Sequence, residues 1–200
     1  MQFNSDKLFF TSDTHFLHRN ILTLCSRPFK DINEQIEIMT FRWNQKVTAD
    51  SDVFHLGDIS LGSNTRTIEI LKRLNGRLHF LKGNHDDSKL FQHLAKEGHF
   101  TESPLKHIYV TDEDAYKGRR LLVLCHYPML VWDKGARGAW HLHGHCHGFL
   151  NEVNKATTRL DVGVDSFNYT PVSYEEIKLI LGQRSYLPVD HHNEGTDYGD

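Results

Sequence analysis

Seven side chains able to hold a cation stand just beyond apolar runs of the chain, in five short motifs. These are Asp13-Thr14-His15, Gly57-Asp58, Gly83-Asn84-His85-Asp86, Cys125-His126-Tyr127-Pro128 and Gly144-His145-Cys146-His147. Such a pattern constrains where strands end more than what fills a core. Leu8-Phe9-Phe10 leads into the first motif and Ala139-Trp140 into the last, so each motif falls at a strand-to-loop junction, where a rigid element aims a functional side chain. In extended backbone, residues two apart share a side, so Asp13 is expected to point with His15, and His145 with His147. Gly57 and Gly83 each precede a candidate ligand, where the missing Cβ lets backbone come close to an ion or phosphate.

Mixed carboxylate, amide and imidazole donors suit Mn²⁺, Fe, Co²⁺, Ni²⁺ or Zn²⁺ better than Ca²⁺ or Cu(I). With its motifs in this order, residues 8 to 165 resemble the calcineurin-like metallophosphoesterase superfamily, in the pattern D-x-H, G-D, G-N-H-[DE], H, G-H-x-H. The resemblance implies a fold of two facing, mixed sheets flanked by helices, with metals at the strand ends along one edge. It also implies two divalent ions, manganese above all. Asp13, His15, Asp58 and His147 would hold the first, and Asp58, Asn84, His126 and His145 the second, with Asp58 bridging. His85 would be the catalytic side chain over the scissile phosphate. The implied reaction is phosphate-ester hydrolysis by a metal-bridging hydroxide, with the ions roughly 3.5 to 4 Å apart.

Charge arithmetic points to the same substrate class. Two divalent ions, less the charges of Asp13, Asp58 and one hydroxide, leave a surplus of one positive charge, which favours a phosphate ester and the negative charge that builds on it. The chain departs from the protein Ser/Thr phosphatase branch, which reads G-D-x-V-D-R-G where this chain reads Gly57-Asp58-Ile59-Ser60-Leu61-Gly62. Leu61 cannot orient His85 as a carboxylate would, so phosphoproteins are disfavoured. The likeness is closer to short, stand-alone bacterial and phage members, with diesters and small phosphorylated metabolites or nucleotides as expected substrates. The competing reading is a catalytically silent scaffold of the same fold.

Around the motifs, Arg19, Asn20, Arg27 and Tyr127 are candidates for gripping substrate, and His143, two residues before His145, for a hydrogen bond that orients a ligand. His79, His93, His99, His107, His191 and His192 read as surface or partly buried residues. Three cysteines, Cys25, Cys125 and Cys146, make an odd count without paired spacing and suit reduced thiols. A net charge of -3 with scattered signs shows no basic stripe, so no dedicated nucleic-acid surface is expected. Without a long apolar run the chain reads as non-membrane and cytoplasmic.

Apolar runs alternate with helical patterns, an α/β arrangement in a single domain over 1–187 with a mobile polar tail over 188–200. Strands are expected near 7–12, 52–57, 77–82, 106–110, 120–125, 139–143 and 158–164. Ile32, Ile36, Met39, Trp43 and Val47 recur every three or four residues after Asp31 and predict an amphipathic helix. Further helices are expected after Asn64, around Leu90 to Leu94, and after Ser173, where Ser173-Tyr-Glu-Glu176 fits a capping box. Residues 14–31, 101–118 and 132–138 are expected to wall the site, with 133–138 as a lid.

Overall fold

The computed structural model describes residues 2–101, 104–186 and 189. In chain order its elements are β1 (Gln2–Phe3), β2 (Leu8–Thr11), α1 (Ile21–Leu24), α2 (Ile32–Lys46), β3 (Asp52–His55), α3 (Asn64–Leu71), β4 (Arg77–Phe80) and α4 (Ser88–Lys96). They continue with β5 (Phe100–Thr101), β6 (Leu105–Thr111), β7 (Arg119–Cys125), β8 (Trp140–His143), α5 (Asn151–Asn154), β9 (Arg159–Asp161), β10 (Val172–Ser173) and α6 (Tyr174–Leu181). Two five-stranded sheets form, in the orders β10-β2-β3-β4-β5 and β1-β6-β7-β8-β9. Strands β2 to β5 are parallel, as are β7, β8 and β9, so both sheets send several strand C-termini the same way.

Side-chain alternation explains the layers. In β2, Leu8 and Phe10 face the second sheet and, with Phe54 and Leu56 of their own sheet, pack against Ile108, Leu122, Leu124 and Leu142. Phe9, between them, faces the opposite way, onto α2, α3 and α4 through Met39, Trp43, Ile68 and Leu94. A strand covered on both faces needs apolar residues at consecutive positions, which is why Leu8-Phe9-Phe10 is an unbroken run. The outer face of the second sheet carries a smaller cluster of Leu121, Val123, Trp132 and Ala139.

The helix stripe predicted after Asp31 buries as expected. Asp31 caps α2 by accepting hydrogen bonds from Asn33 N and Glu34 N, both 2.9 Å, and Ile32, Ile36, Met39, Trp43 and Val47 are all buried. Ser173 and Glu176 close a capping box at α6. Elements of two to four residues, β1, β5, β10, α1 and α5, are too short to repeat a period and so leave no pattern in the sequence. Among the described residues no helix is long and apolar enough to cross a membrane. The polar tail, with His191 and His192, lies outside the described residues, Val189 excepted.

Two expected wall segments are elsewhere. Residues 105–111 form β6, hydrogen-bonded to β7 throughout. The segment 132–138 precedes β8, which runs parallel to β7, so it sits at the opposite end of the sheet from the loops that leave their C-termini. It is also braced there: Trp132 Nε1 donates to Ala139 O at 3.0 Å, and Gly135 packs so tightly on the Tyr186 ring that a Cβ would clash. Residues 133–138 are therefore no lid over those loops.

Candidate metal centre

All seven candidate ligands emerge at the C-terminal ends of parallel strands, where open α/β sheets place their ligands. Asp13 and His15 follow β2, Asp58 follows β3, Asn84 follows β4, His126 follows β7, and His145 and His147 follow β8. The two sheets meet at this edge, because Ser12 bridges to Gly163 beyond β9 and Val164 N donates to Ser12 O at 3.0 Å.

The loops keep the parallel ladder going past the strands. Asp13 N donates to Gly57 O and His15 N to Asp58 O, both at 3.0 Å, and Phe16 N to Ile59 O at 2.9 Å. Asp13, His15, Asp58, His145 and His147 all adopt left-handed backbone, with φ of 57°, 46°, 56°, 70° and 47°. Strand alternation is thus not what points each pair of ligands together. Each such residue costs about 1–3 kcal/mol, and a cluster of them marks a place where conformation is held for a purpose. The glycines permit the crowding: a Cβ on Gly83 or Gly144 would lie well inside 3.0 Å of the Asp58 or Asp13 carboxylate.

Carboxylate oxygens, an amide oxygen and imidazole nitrogens converge at this edge. His15 Nε2 lies 3.5 Å from Asp58 Oδ2 and 3.9 Å from Asp13 Oδ1. His147 Nε2 lies 3.9 Å from Asp13 Oδ1, and His126 Nε2 lies 3.5 Å from Asp58 Oδ2. Asn84 Oδ1 is 2.9 Å from both His126 Nε2 and His145 Nδ1. His126 donates its Nδ1 proton to Leu56 O at 2.9 Å, which directs Nε2 at the oxygens of Asp58 and Asn84. Asp13 Oδ1 and His15 Nε2 are buried with no hydrogen-bond partner. Ligands about 2.1 Å from a common ion are about 3.0–3.4 Å apart when adjacent, so a small contraction brings these donors onto cations. The residues present fit a pair of divalent ions, with Asp58 facing both groups.

Electrostatics describe the same cavity. Burial pushes the Asp13 pKa up to about 7. Burial also works against the Asp58 charge, yet His126 and the His85 N–H overcome it and hold the pKa near 2. Burial drives His15 down to about 3, so its ring is neutral. His147 is opposed by burial but raised to about 10, chiefly by the Asp165 carboxylate.

Supporting residues explain the rigidity. Asp165 accepts from His147 Nδ1 at 2.7 Å, which leaves Nε2 directed at Asp13. Arg27 pairs with Asp165 through Nε and Nη2, both 2.8 Å, and donates to Asp13 O at 2.7 Å and Thr14 O at 3.0 Å. Its side chain is fully buried, so Arg27 is a brace and not a grip for substrate. Asp86 accepts from Asp58 N at 2.7 Å, Gly83 N at 2.8 Å and Ile59 N at 2.9 Å, clamping two ligand loops together. His55 Nδ1 accepts from Gly57 N at 3.2 Å. Sequence reasoning missed Asp165 and His55, and gave Asp86 no task. The acid three residues after Gly83 was the available signal.

The remaining candidates divide. His85 is half-exposed at the mouth, with Nε2 4.0 Å from Asp58 Oδ2. Tyr127 is 47% exposed and its ring centroid lies 4.7 Å from that of His145. Arg19 and Asn20 are exposed at the start of α1. His143 is buried and bonds Gly144 O and Asn154 Nδ2, so it steadies the backbone before His145 and touches no ligand side chain. Cys146 is half-buried, while Cys25 clusters with His147 and Asp165.

No family model matches the chain. It is 34% identical over 181 residues to the uncharacterized protein MJ1445 of Methanocaldococcus jannaschii, over 88% of this chain and 91% of that one. The solved structure of AQ665 from Aquifex aeolicus, a protein of unknown function, shares the fold with a TM-score of 0.61. That likeness covers 86% of this chain and 97% of the other at 24% identity. A phosphopantetheinyl hydrolase of Mycobacterium tuberculosis overlaps at a TM-score of 0.34 and 14% identity, over 80% of this chain and 54% of that one, too loosely to carry an argument.

Proposed function

The chain belongs to the same family as MJ1445, and from that premise and the geometry of its strand ends we propose that it is a dinuclear metal-dependent phosphoesterase of the calcineurin-like superfamily. The observation that carries the reading is the convergence of Asp13 Oδ1, His15 Nε2, Asp58 Oδ2, Asn84 Oδ1, His126 Nε2 and His147 Nε2 at one place, with Asp13 Oδ1 and His15 Nε2 buried and without a hydrogen-bond partner. Asp13, His15, Asp58 and His147 would hold one cation, and Asp58, Asn84, His126 and His145 the other. Two divalent ions there would supply Lewis acidity toward phosphate oxygens and would acidify a bound water.

The chain's own residues do the rest. Asp13, His15, Asp58 and His126 form a buried floor, while Asn84, His85 and His145 form an exposed rim, so a substrate meets the centre from one side. His85, anchored through its N–H to Asp58 Oδ1 at 2.9 Å, presents a solvent-facing imidazole at the mouth. There it holds a phosphoryl oxygen or gives a proton to the departing alkoxide, work typically worth about 10² to 10⁴ in rate. The Tyr127 ring beside His145 forms part of the mouth. Diesters are favoured over monoesters because the rim is open on the His85 side.

The test is hydrolysis of bis-(4-nitrophenyl) phosphate and of 4-nitrophenyl phosphate by protein loaded with Mn²⁺. Turnover of the diester, abolished by chelation and restored by Mn²⁺, is the expected result. Silence toward both esters with two metals bound would instead favour a non-catalytic scaffold.

A further inference from the structure

On the outer face of the second sheet, away from the metal centre, the hairpin joining β6 to β7 and the segment before β8 enclose a shallow cavity of about 240 Å³. Its lining includes Tyr109, Tyr116, Lys117, Arg119, Lys134 and Arg137. The four cations are exposed, and none forms an ion pair with a described residue. The carboxylates of the same hairpin are already engaged: Asp112 accepts from Arg120, Lys178 and Tyr174, and Asp114 pairs with Lys178. Among the described residues of the two segments, Glu113 and Asp133 are left to offset four positive charges, and Asp133 Oδ2 lies 3.8 Å from His107 Nε2.

Aromatic rings are interleaved with these cations. Lys117 Nζ lies 5.1 Å from the Tyr116 ring centre and the Arg119 guanidinium 4.9 Å from that of Tyr109. Tyr116 is 79% exposed, so its ring is open to solvent apart from the Lys117 ammonium. Segments 109–119 and 134–137, separate in sequence, thus build one basic, ring-bearing groove. The cavity is smaller than the roughly 300–1,000 Å³ of small-molecule sites, which suits one stretch of an extended chain better than a whole enclosed ligand. Cations that track a phosphate backbone, with rings on which bases stack, are what single-stranded nucleic acid requires.

We infer that this groove is a binding site for single-stranded nucleic acid. It lies at the start of β7, and the six residue steps from Arg119 to Cys125 put it about 20 Å from the metal loops. The inference does not depend on what the metal centre does.

The experiment is fluorescence anisotropy of a labelled single-stranded oligonucleotide titrated with the full chain at several salt concentrations, without added metal. Neutralising four phosphates gives a slope of log K against log salt of about −2.8, or about fiftyfold weaker binding between 50 and 200 mM. Replacing Lys117, Arg119, Lys134 and Arg137 together by glutamine is expected to flatten that slope. Tyr116→Ala is expected to weaken binding at least about fivefold without changing the slope. Circular dichroism and diester hydrolysis should be unchanged in both variants, which separates loss of binding from loss of fold. Unaltered affinity and slope in the fourfold variant would overturn the assignment. Equal binding of poly-glutamate would overturn it too, by showing a charge patch that does not read bases.

Discussion

Asp86→Asn isolates the clamp that ties the Asp58 loop to the Asn84 loop. One carboxylate oxygen accepts from both Asp58 N and Gly83 N, at 2.7 and 2.8 Å, and the other from Ile59 N at 2.9 Å. Burial pushes the Asp86 pKa up, and these N–H groups oppose the shift by stabilising its charge. Asparagine has the same shape but only one acceptor oxygen, so its NH₂ must face at least one backbone N–H. A charge-assisted bond of about 1.5–3 kcal/mol is lost and a buried donor is orphaned, for a total of about 2–3 kcal/mol. In a domain of this size each kcal/mol lowers Tm by about 2–4 °C, so a fall of about 4–12 °C is expected. Asp58, held at a φ of 56°, would also be free to relax, and metal retention should drop with stability. Thermal denaturation followed by circular dichroism, and metal content after dialysis, read the two effects. A Tm within 1 °C of the parent and unchanged metal content would refute the clamp.

Three other perturbations separate roles. His85→Ala should keep its metals, since the imidazole is at the rim, while kcat falls by about 10² to 10⁴; full turnover in that variant would remove His85 from the chemistry. Arg27→Met should cost about 2–3 kcal/mol in urea denaturation by taking the guanidinium from Asp165, which keeps His147, and from the Asp13 and Thr14 carbonyls, and a loss below 1 kcal/mol would contradict the brace. Burial drives the His141 pKa down to about 3, so between that value and 6.5 the unfolded chain binds the proton that the folded chain refuses. The stability contributed by neutral His141 is complete above pH 6.5 and falls with pH below it, by up to about 1.4 kcal/mol per unit. His141→Gln should make the stability-against-pH slope between pH 4 and 6 shallower, and an unchanged slope would show that His141 is protonated in the fold.

That the candidate donors gather at one sheet edge was legible because the signal is local: each sits within a few residues of a strand end or beside a glycine. How the donors point was not legible. Asp13, His15, His145 and His147 face inward through left-handed backbone, which no alternation rule describes. The helix stripe over Ile32 to Val47 was readable because α2 spans four turns, whereas β1, β5 and β10 are too short to show a period. Arg27 was misplaced because its partner, Asp165, is 138 residues away in sequence, and only folding shows that the guanidinium is already engaged. Lys117, Arg119, Lys134 and Arg137 gather for the same kind of reason, although the net charge of the chain is negative.

Metal stoichiometry tests the central claim most directly. Protein equilibrated with Mn²⁺, freed of excess and analysed by inductively coupled plasma mass spectrometry should carry two ions per chain. Asp58→Asn should lose both together, because one carboxylate faces both groups of donors. A parent chain with no bound metal, or an Asp58→Asn variant that keeps two, would contradict the account.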